Sequence, residues 1–287
     1  SVEKVNGEVT EYTDPYAFAN VTKPEDYKAF LAGEEKNAAH IFGAHERTVN
    51  GVKGVLFNVW APKALSVSVV GEFNKYDGRV HLMERIEDTG VFELFIPGLA
   101  AGCGYMYEIK RQGKGTTRKL DPVSRQISSV PITASVVSDE NMPDSYAWND
   151  GLWMIKRKKE AGKKKPVTVY EVSLTDWLKE KSADELVDFV KQEGYTHVCF
   201  LPVAEYLNEE MNGYSTLGYF AVTHRTGGSD AFKKLVDDCH NAGIGVIIDW
   251  NGAYFGTEVK GLYDFDGADA YGYLKPSLEK HPEWDVV

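Results

Sequence analysis

Cysteine is scarce in this chain, and Cys103, Cys199 and Cys239 are odd in number and far apart. That spacing argues against a disulfide framework and a clustered zinc site, and it fits a reducing cytoplasm. No apolar run approaches the roughly 18 residues that span a bilayer, and the N-terminus is polar and acidic where a signal peptide would be basic and then apolar. Cations are also in deficit: 32 basic against 43 acidic residues leave a formal charge of −11. Such a balance repels nucleic-acid phosphate and anionic lipid, so neither nucleic acid nor membrane is expected as a partner. The densest basic run, Lys156-Arg157-Lys158-Lys159 with Lys163-Lys164-Lys165, reads as a solvated linker. The seven histidines never fall at i, i+4 spacing, and "GKG" (113–115) lacks the spacing of a phosphate loop and reads as a hairpin turn. No metal site and no cofactor is called for.

Aromatic residues are abundant, with 16 Tyr, 13 Phe and 6 Trp in 287 residues, a length that favours two domains over one. Residues 1–46 form an N-terminal arm with one helix signal, in which Thr22 stands as a cap, Pro24 in the first turn and Gly33 as a stop. Short alternating runs follow, "GVLFNVW" (54–60), "LSVSVVGEF" (65–73), "VFELFI" (91–96), "GYMYEIK" (104–110) and "ITASVV" (132–137), separated by turn residues. This rhythm predicts an antiparallel, immunoglobulin-like β-sandwich over residues 47–140. A Lys-rich linker or packed connector fills 141–165.

From residue 166 the rhythm changes. "VTVYEVSL" (167–174), "THVCFLPV" (196–203) and "IGVIID" (244–249) read as buried strands, with "ADELVDFVKQEGY" (183–195) and "DAFKKLVDDCHNAG" (230–243) as amphipathic helices between them. Alternation of this kind implies parallel strands, and near-continuous apolar strands imply a sheet covered on both faces. The architecture is then a doubly wound sheet or a (β/α)8 barrel. Long loops after the second strand (204–228) and the third (250–287), against loops of about two residues after the helices, favour the first three βα units of a barrel over 166–287.

"VYEVSLTDW" (169–177), "GYTHVCFLPVAEY" (194–206), "NGYSTLGYFAVTHRTGG" (212–228), "DAFKKLVDDCHNAGIGVIIDW" (230–250) and "GLYDFDG" (261–267) together resemble the opening of the catalytic barrel of 1,4-α-glucan branching enzymes in the α-amylase superfamily. "FNVWAPKALSVSVVGEFNKYDGRVHLM", "GVFELFIPGL" and "DPVSRQ" are similar to the carbohydrate-binding sandwich that precedes that barrel, and "IFGAHE" (41–46) matches the segment that introduces it. The resemblance implies a retaining transfer of α-1,4-glucan segments that forms α-1,6 branches in glycogen or starch metabolism. An aspartate would serve as nucleophile and a glutamate as acid, about 5–5.5 Å apart. In the family those two carboxylates stand on the fourth and fifth barrel strands. Neither is expected within this chain, so it contains no catalytic residue and is expected to be inactive alone.

By the resemblance, Tyr214 stacks on the glucose whose bond is cut and Asp249 hydrogen-bonds in the innermost subsite. Read without it, they are a loop tyrosine packing a turn and a cap of the loop that Asp249 begins. The family has a histidine at Tyr254, a third substrate-binding position, and also a tryptophan at Asn212, a glutamine at Ser215 and a histidine at Ser173. In the sandwich, Tyr76 matches the family's sugar-stacking aromatic, while Trp60 reads equally as glucan platform or as core. The partner implied is an α-glucan (glycogen, amylose or starch), with self-association through an exposed barrel edge as a further expectation. The alternatives are a non-catalytic α-glucan-binding or assembly protein derived from a branching enzyme and, more distantly, a debranching or maltogenic hydrolase.

Overall fold

A computed structural model describes residues 13–18, 21–129, 132–138, 146–252, 255–268 and 270–272, together with the backbone of Val2–Glu3 and Val9–Thr10, which pair as a short antiparallel ladder. The chain divides into two compact units: Ser1–Ser124 with Ala134–Asn141 and Asp264–Gly272, and Arg125–Thr133 with Met142–Tyr263 and Tyr273–Val287.

In the first unit, strands β1 (Gly43–Val49), β2 (Val52–Trp60), β3 (Ala64–Gly71), β4 (Glu84–Arg85), β5 (Val91–Pro97), β6 (Gly104–Arg111), β7 (Gly115–Lys119) and β8 (Ala134–Val136) build two antiparallel sheets. One sheet has the order β1-β2-β5-β4. In the other, β6 pairs with β3 along one edge and with β7 and then β8 along the opposite edge. Alternation decides which residues face inward. Val55, Phe57 and Val59 of β2 meet Val67 and Val69 of β3 and Tyr105, Tyr107 and Ile109 of β6 in a single buried core, the sandwich the sequence predicts. A two-residue turn joins β1 to β2 with Val49 opposite Val52, and Asn50 and Gly51 take φ of 50° and 81°, the left-handed geometry that suits a tight hairpin. The "GKG" segment likewise lies in the β6–β7 hairpin, where Arg111 pairs with Gly115.

The arm is part of this unit. Phe18 packs on Leu56 and Phe95, and Tyr27 and Phe42 pack with Ile86 and Val91, covering the outward face of the β2–β5 sheet. The expected cap is corrected here, because the N–H of Lys23, the residue before Pro24, donates to Asp26 at 2.8 Å. Thr22 instead gives its backbone N–H (3.1 Å) and its hydroxyl to the buried Glu93. A carboxylate buried under the arm needs donors more than the helix start needs a cap. The helical turn continues as α1 (Lys28–Leu31) and stops at Gly33 (φ 73°), as predicted. Strand β1 begins at Gly43 and so straddles the boundary drawn at residue 47. Residues 264–272, assigned by sequence to the barrel part, also contribute to the sandwich unit: Phe265 is buried in its core, and Asp264 binds Arg111 at 2.7 Å and Lys114 at 2.8 Å.

In the second unit, β9 (Val169–Val172), β10 (His197–Phe200) and β13 (Gly245–Ile248) run parallel in that order. Between β10 and β13 lies an antiparallel hairpin, β11 (Ala204–Tyr206) and β12 (Thr216–Val222), where the sequence reading placed only a loop. Helices α4 (Ala183–Gln192) and α5 (Gly228–Asn241) bury Leu186, Val187, Val190, Phe232, Leu235 and Cys239 against Val172, Val198 and Phe200. Helix α4 starts in a capping box, in which Ser182 Oγ accepts from Glu185 N–H at 3.2 Å and the Glu185 carboxylate accepts from Ser182 N–H at 2.7 Å. The expected two-sided cover is corrected: Glu171 is exposed, Cys199 is half-buried, and Ile247 and Ile248 are 40% and 45% exposed. Among the described residues the sheet stops at β13, so its apolar side chains gain neither a neighbouring strand nor a second layer. The segment taken as linker carries helix α2 (Gly151–Glu160), whose Trp153 stacks on His240 at 5.0 Å, so it is a packed connector. No described helix is long and apolar enough to cross a membrane.

Candidate functional site

The ends of the parallel strands of the second unit carry the polar groups that the sequence singles out. Asp249 follows β13 directly, and its N–H donates to Phe200 O at 2.8 Å, so the sheet ladder fixes where the carboxylate emerges. Tyr214 reaches it from the hairpin loop. Asn212 and Gly213 take φ of 48° and 87°, and a Cβ at position 213 would stand 2.6 Å from Pro202 O. Only glycine allows that approach, and the turn it makes presents the Tyr214 side chain. The Tyr214 hydroxyl donates to Asp249 Oδ2, and Asn251 Nδ2 donates to Tyr214 O at 3.2 Å.

The hydrogen bond to Asp249, reinforced by partial burial and by the charges of Asp249 and Glu171, raises the Tyr214 hydroxyl to about 12. Tyr214 therefore stays a neutral donor at any physiological pH. The thiol of Cys199 is pushed up as well, by burial and then by Glu171 and Asp249. Four groups from β9, β10, β13 and the hairpin loop thus share one electrostatic neighbourhood. A cavity of about 190 Å³ adjoins it, lined by Asp249, Trp250, Asn251, Tyr219, Phe220 and Phe232 among others. An aromatic face next to a carboxylate and an amide can hold a polyhydroxylated ring through C–H/π contact and hydrogen bonds.

The structure joins Tyr214 and Asp249, while Tyr254 lies outside the described residues. Ser173 caps α3 (Leu174–Trp177), accepting from Asp176 N–H at 3.3 Å. Ser215 is buried and donates to Glu258 at 3.0 Å, and Asn212 is an exposed left-handed turn residue. In the other unit Tyr76 is half-buried at φ 58°, with the Arg118 guanidinium 5.7 Å from its ring centroid. Trp60 is half-buried between Phe30 (5.5 Å) and Tyr271 (6.1 Å), a packed position.

Sequence reasoning missed the group that holds the hairpin in place. Glu205, 2% exposed, accepts at Oε1 from Thr223 Oγ1 (3.1 Å) and Arg225 (2.9 Å) and at Oε2 from His224 N–H (2.9 Å), and the same Oε2 meets His224 Nδ1 at 2.9 Å. Arg225 further donates to Tyr206 O at 3.0 Å and lies over the Tyr206 ring. Glu205 and "THR" (223–225) are separated by a whole hairpin, so no spacing rule links them. Among the described residues no three His, Cys, Asp or Glu side chains are placed to hold a metal ion.

Residues 41–124 match the carbohydrate-binding module 48 family, described as the isoamylase N-terminal domain. The chain is 41% identical over 291 aligned residues to the 1,4-alpha-glucan branching enzyme GlgB of Methylococcus capsulatus, covering 98% of this chain and 39% of that protein. It is 40% identical to the GlgB of Nitrosococcus oceani and 39% identical to that of Cellvibrio japonicus, each over 96% of this chain and 38% of the relative. The chain thus spans about two fifths of the length of these curated relatives. Among solved structures, an alpha-amylase-like protein of Salmonella typhimurium matches 85% of this chain and 38% of its own, with a TM-score of 0.61 at 24% identity, a likeness of fold.

Proposed function

Homology to the 1,4-alpha-glucan branching enzymes of the α-amylase superfamily covers nearly all of this chain, and from that premise we propose that it is the glucan-binding, barrel-opening part of a branching-enzyme-like protein of glycogen metabolism. The observation that carries the reading is the Tyr214–Asp249 contact, a neutral phenol and a carboxylate joined at the strand ends where a barrel of this class receives its sugar. In this reading β9, β10 and β13 are the first three strands of the barrel. Tyr214 stacks on a glucose ring, Asp249 accepts from its hydroxyls, and Tyr254 completes the subsite. Tyr76 adds a second contact on the sandwich, with Trp60 contributing from the sheet. The partner is an α-glucan in the cytoplasm.

The nucleophile and acid of such an enzyme stand on later strands, so this chain binds α-glucan without branching it. A non-catalytic glucan-binding role for the longer protein is the second reading. It is favoured by Ser173 and Ser215, which serve as a helix cap and as a partner of Glu258 where the family resemblance has histidine and glutamine.

Native electrophoresis in glycogen-containing gels tests binding, with Tyr214→Ala and Tyr76→Ala as separate variants. Retardation that weakens in each variant is expected, and no retardation of the parent chain would overturn the binding role. New α-1,6 linkages after incubation of the pure chain with amylose would overturn the non-branching assignment.

A further inference from the structure

Among the described residues, helix α2 is anchored along one side only. Tyr146 OH donates to Asp237 Oδ2 at 3.0 Å, Asn149 N–H donates to Asp237 Oδ1 at 3.0 Å, Asp150 meets His240 Nδ1 at 2.7 Å, and Trp153 stacks on the same imidazole. The opposite stripe, Leu152, Ile155, Lys156 and Lys159, follows i, i+3, i+4, i+7 spacing and faces solvent, with Leu152 85% and Ile155 54% exposed. Residues 156–165 hold seven cations and one acid in a chain of net charge −11, and among the described residues the one ion pair there is Lys165–Glu160 at 2.7 Å. The remaining cations of the run are exposed.

Solvation alone accounts for lysines, but it gives no reason for two aliphatic side chains on the same stripe. Together they make a surface of two apolar contacts followed by a concentrated positive charge. We propose that this stripe of α2 is a docking surface for a short acidic polypeptide segment that carries aliphatic side chains among its carboxylates. The scale of the patch selects the class of partner. Ten helical residues span about 15 Å, and outside residues 156–165 the chain holds 42 acidic against 25 basic residues. A long polyanion such as duplex nucleic acid or an anionic vesicle extends past the patch onto acidic surface, within the roughly 8 Å reach of charge at physiological salt. A short acidic segment meets the cations alone.

The test uses fluorescence anisotropy of a labelled peptide of repeated Glu-Glu-Leu-Glu units against the whole chain. Binding at low salt that weakens as salt rises is expected. Lys156→Glu with Lys159→Glu should weaken it about tenfold or more, and Leu152→Ser with Ile155→Ser by roughly threefold. The milder pair Lys156→Gln with Lys159→Gln should fall between parent and charge reversal, and all variants should keep the parent's retention on glycogen, which separates this surface from the glucan site. Absence of binding, affinity indifferent to all three pairs, or equal affinity for duplex DNA or phosphatidylglycerol vesicles would overturn the proposal.

Discussion

Tyr214 illustrates how one hydrogen bond fixes the chemistry of a side chain. Its hydroxyl sits against a carboxylate, and the negative charge of Asp249 opposes formation of a tyrosinate, so the group donates and never ionises under physiological conditions. Replacing Asp249 by Asn should bring the Tyr214 value from about 12 down toward the ordinary 10, read by carbon-13 titration of the labelled ring. An unchanged value would show that burial, and not the carboxylate, sets it. Lys119 is the opposite case, a cation only 1% exposed, which burial and then Arg111 lower from 10.5 to about 8. Between those two pH values the unfolded lysine holds a proton that the folded one has shed. The unfolded state then binds more protons, and stability rises with pH across the window by up to about 3 kcal/mol. Below pH 8 both states are charged and the full cost of burial stands. Urea unfolding of Lys119→Met should therefore lack most of the parent's gain between pH 8 and pH 10.5.

At the scale of elements, the β11–β12 hairpin depends on one buried carboxylate for its shape. Glu205 neutralises Arg225 and accepts from the Thr223 hydroxyl and the His224 amide in the turn after β12, so its removal leaves a guanidinium that is only 16% exposed with the exposed Glu209, at 3.3 Å, as its carboxylate partner. Glu205→Gln should cost about 3 kcal/mol and loosen the loop that carries Tyr214. Hydrogen exchange should report faster amide opening from residue 204 to 226, and protection equal to the parent would refute the role. The same scale shows why the long "loop" after β10 was not legible as a hairpin. Its register breaks between Ala204 and Glu205 and again between Glu205 and Tyr206, so the strict alternation that marks a strand is interrupted by the residues that anchor it. The β1–β2 turn, by contrast, is written plainly as Asn50-Gly51, yet strand β1 itself was drawn as an introductory segment.

Across the whole molecule, the second unit has a parallel sheet clothed by α4 and α5 on one face and, among the described residues, left open on the other. Ile247, Ile248 and Val169 remain substantially exposed at its edges, an arrangement that invites pairing or association. Sedimentation velocity should find concentration-dependent dimers or larger species, reduced by Ile247→Lys with Ile248→Lys, which place charge on the open edge. A parent chain that stays monomeric and fails to enhance ANS fluorescence would count against this. The open face also explains why "GVII" reads as a fully buried strand from its letters and is not one here: four apolar residues announce a strand but say nothing about whether a second layer covers it.

The sequence by itself determined the two rhythms, alternating strands to about residue 140 and strand–helix alternation after 166, because hydrophobic periodicity is set by local geometry and survives in one dimension. It also supplied Tyr214 and Asp249, through resemblance, as residues of one site. Tertiary structure alone decided that their side chains touch, that Glu205 holds the hairpin that presents Tyr214, and that the arm and residues 264–272 join the sandwich core. Each of these joins groups far apart in the chain, and each arises where a buried charge or an apolar face must find whatever partner the fold brings near. No local pattern records that requirement.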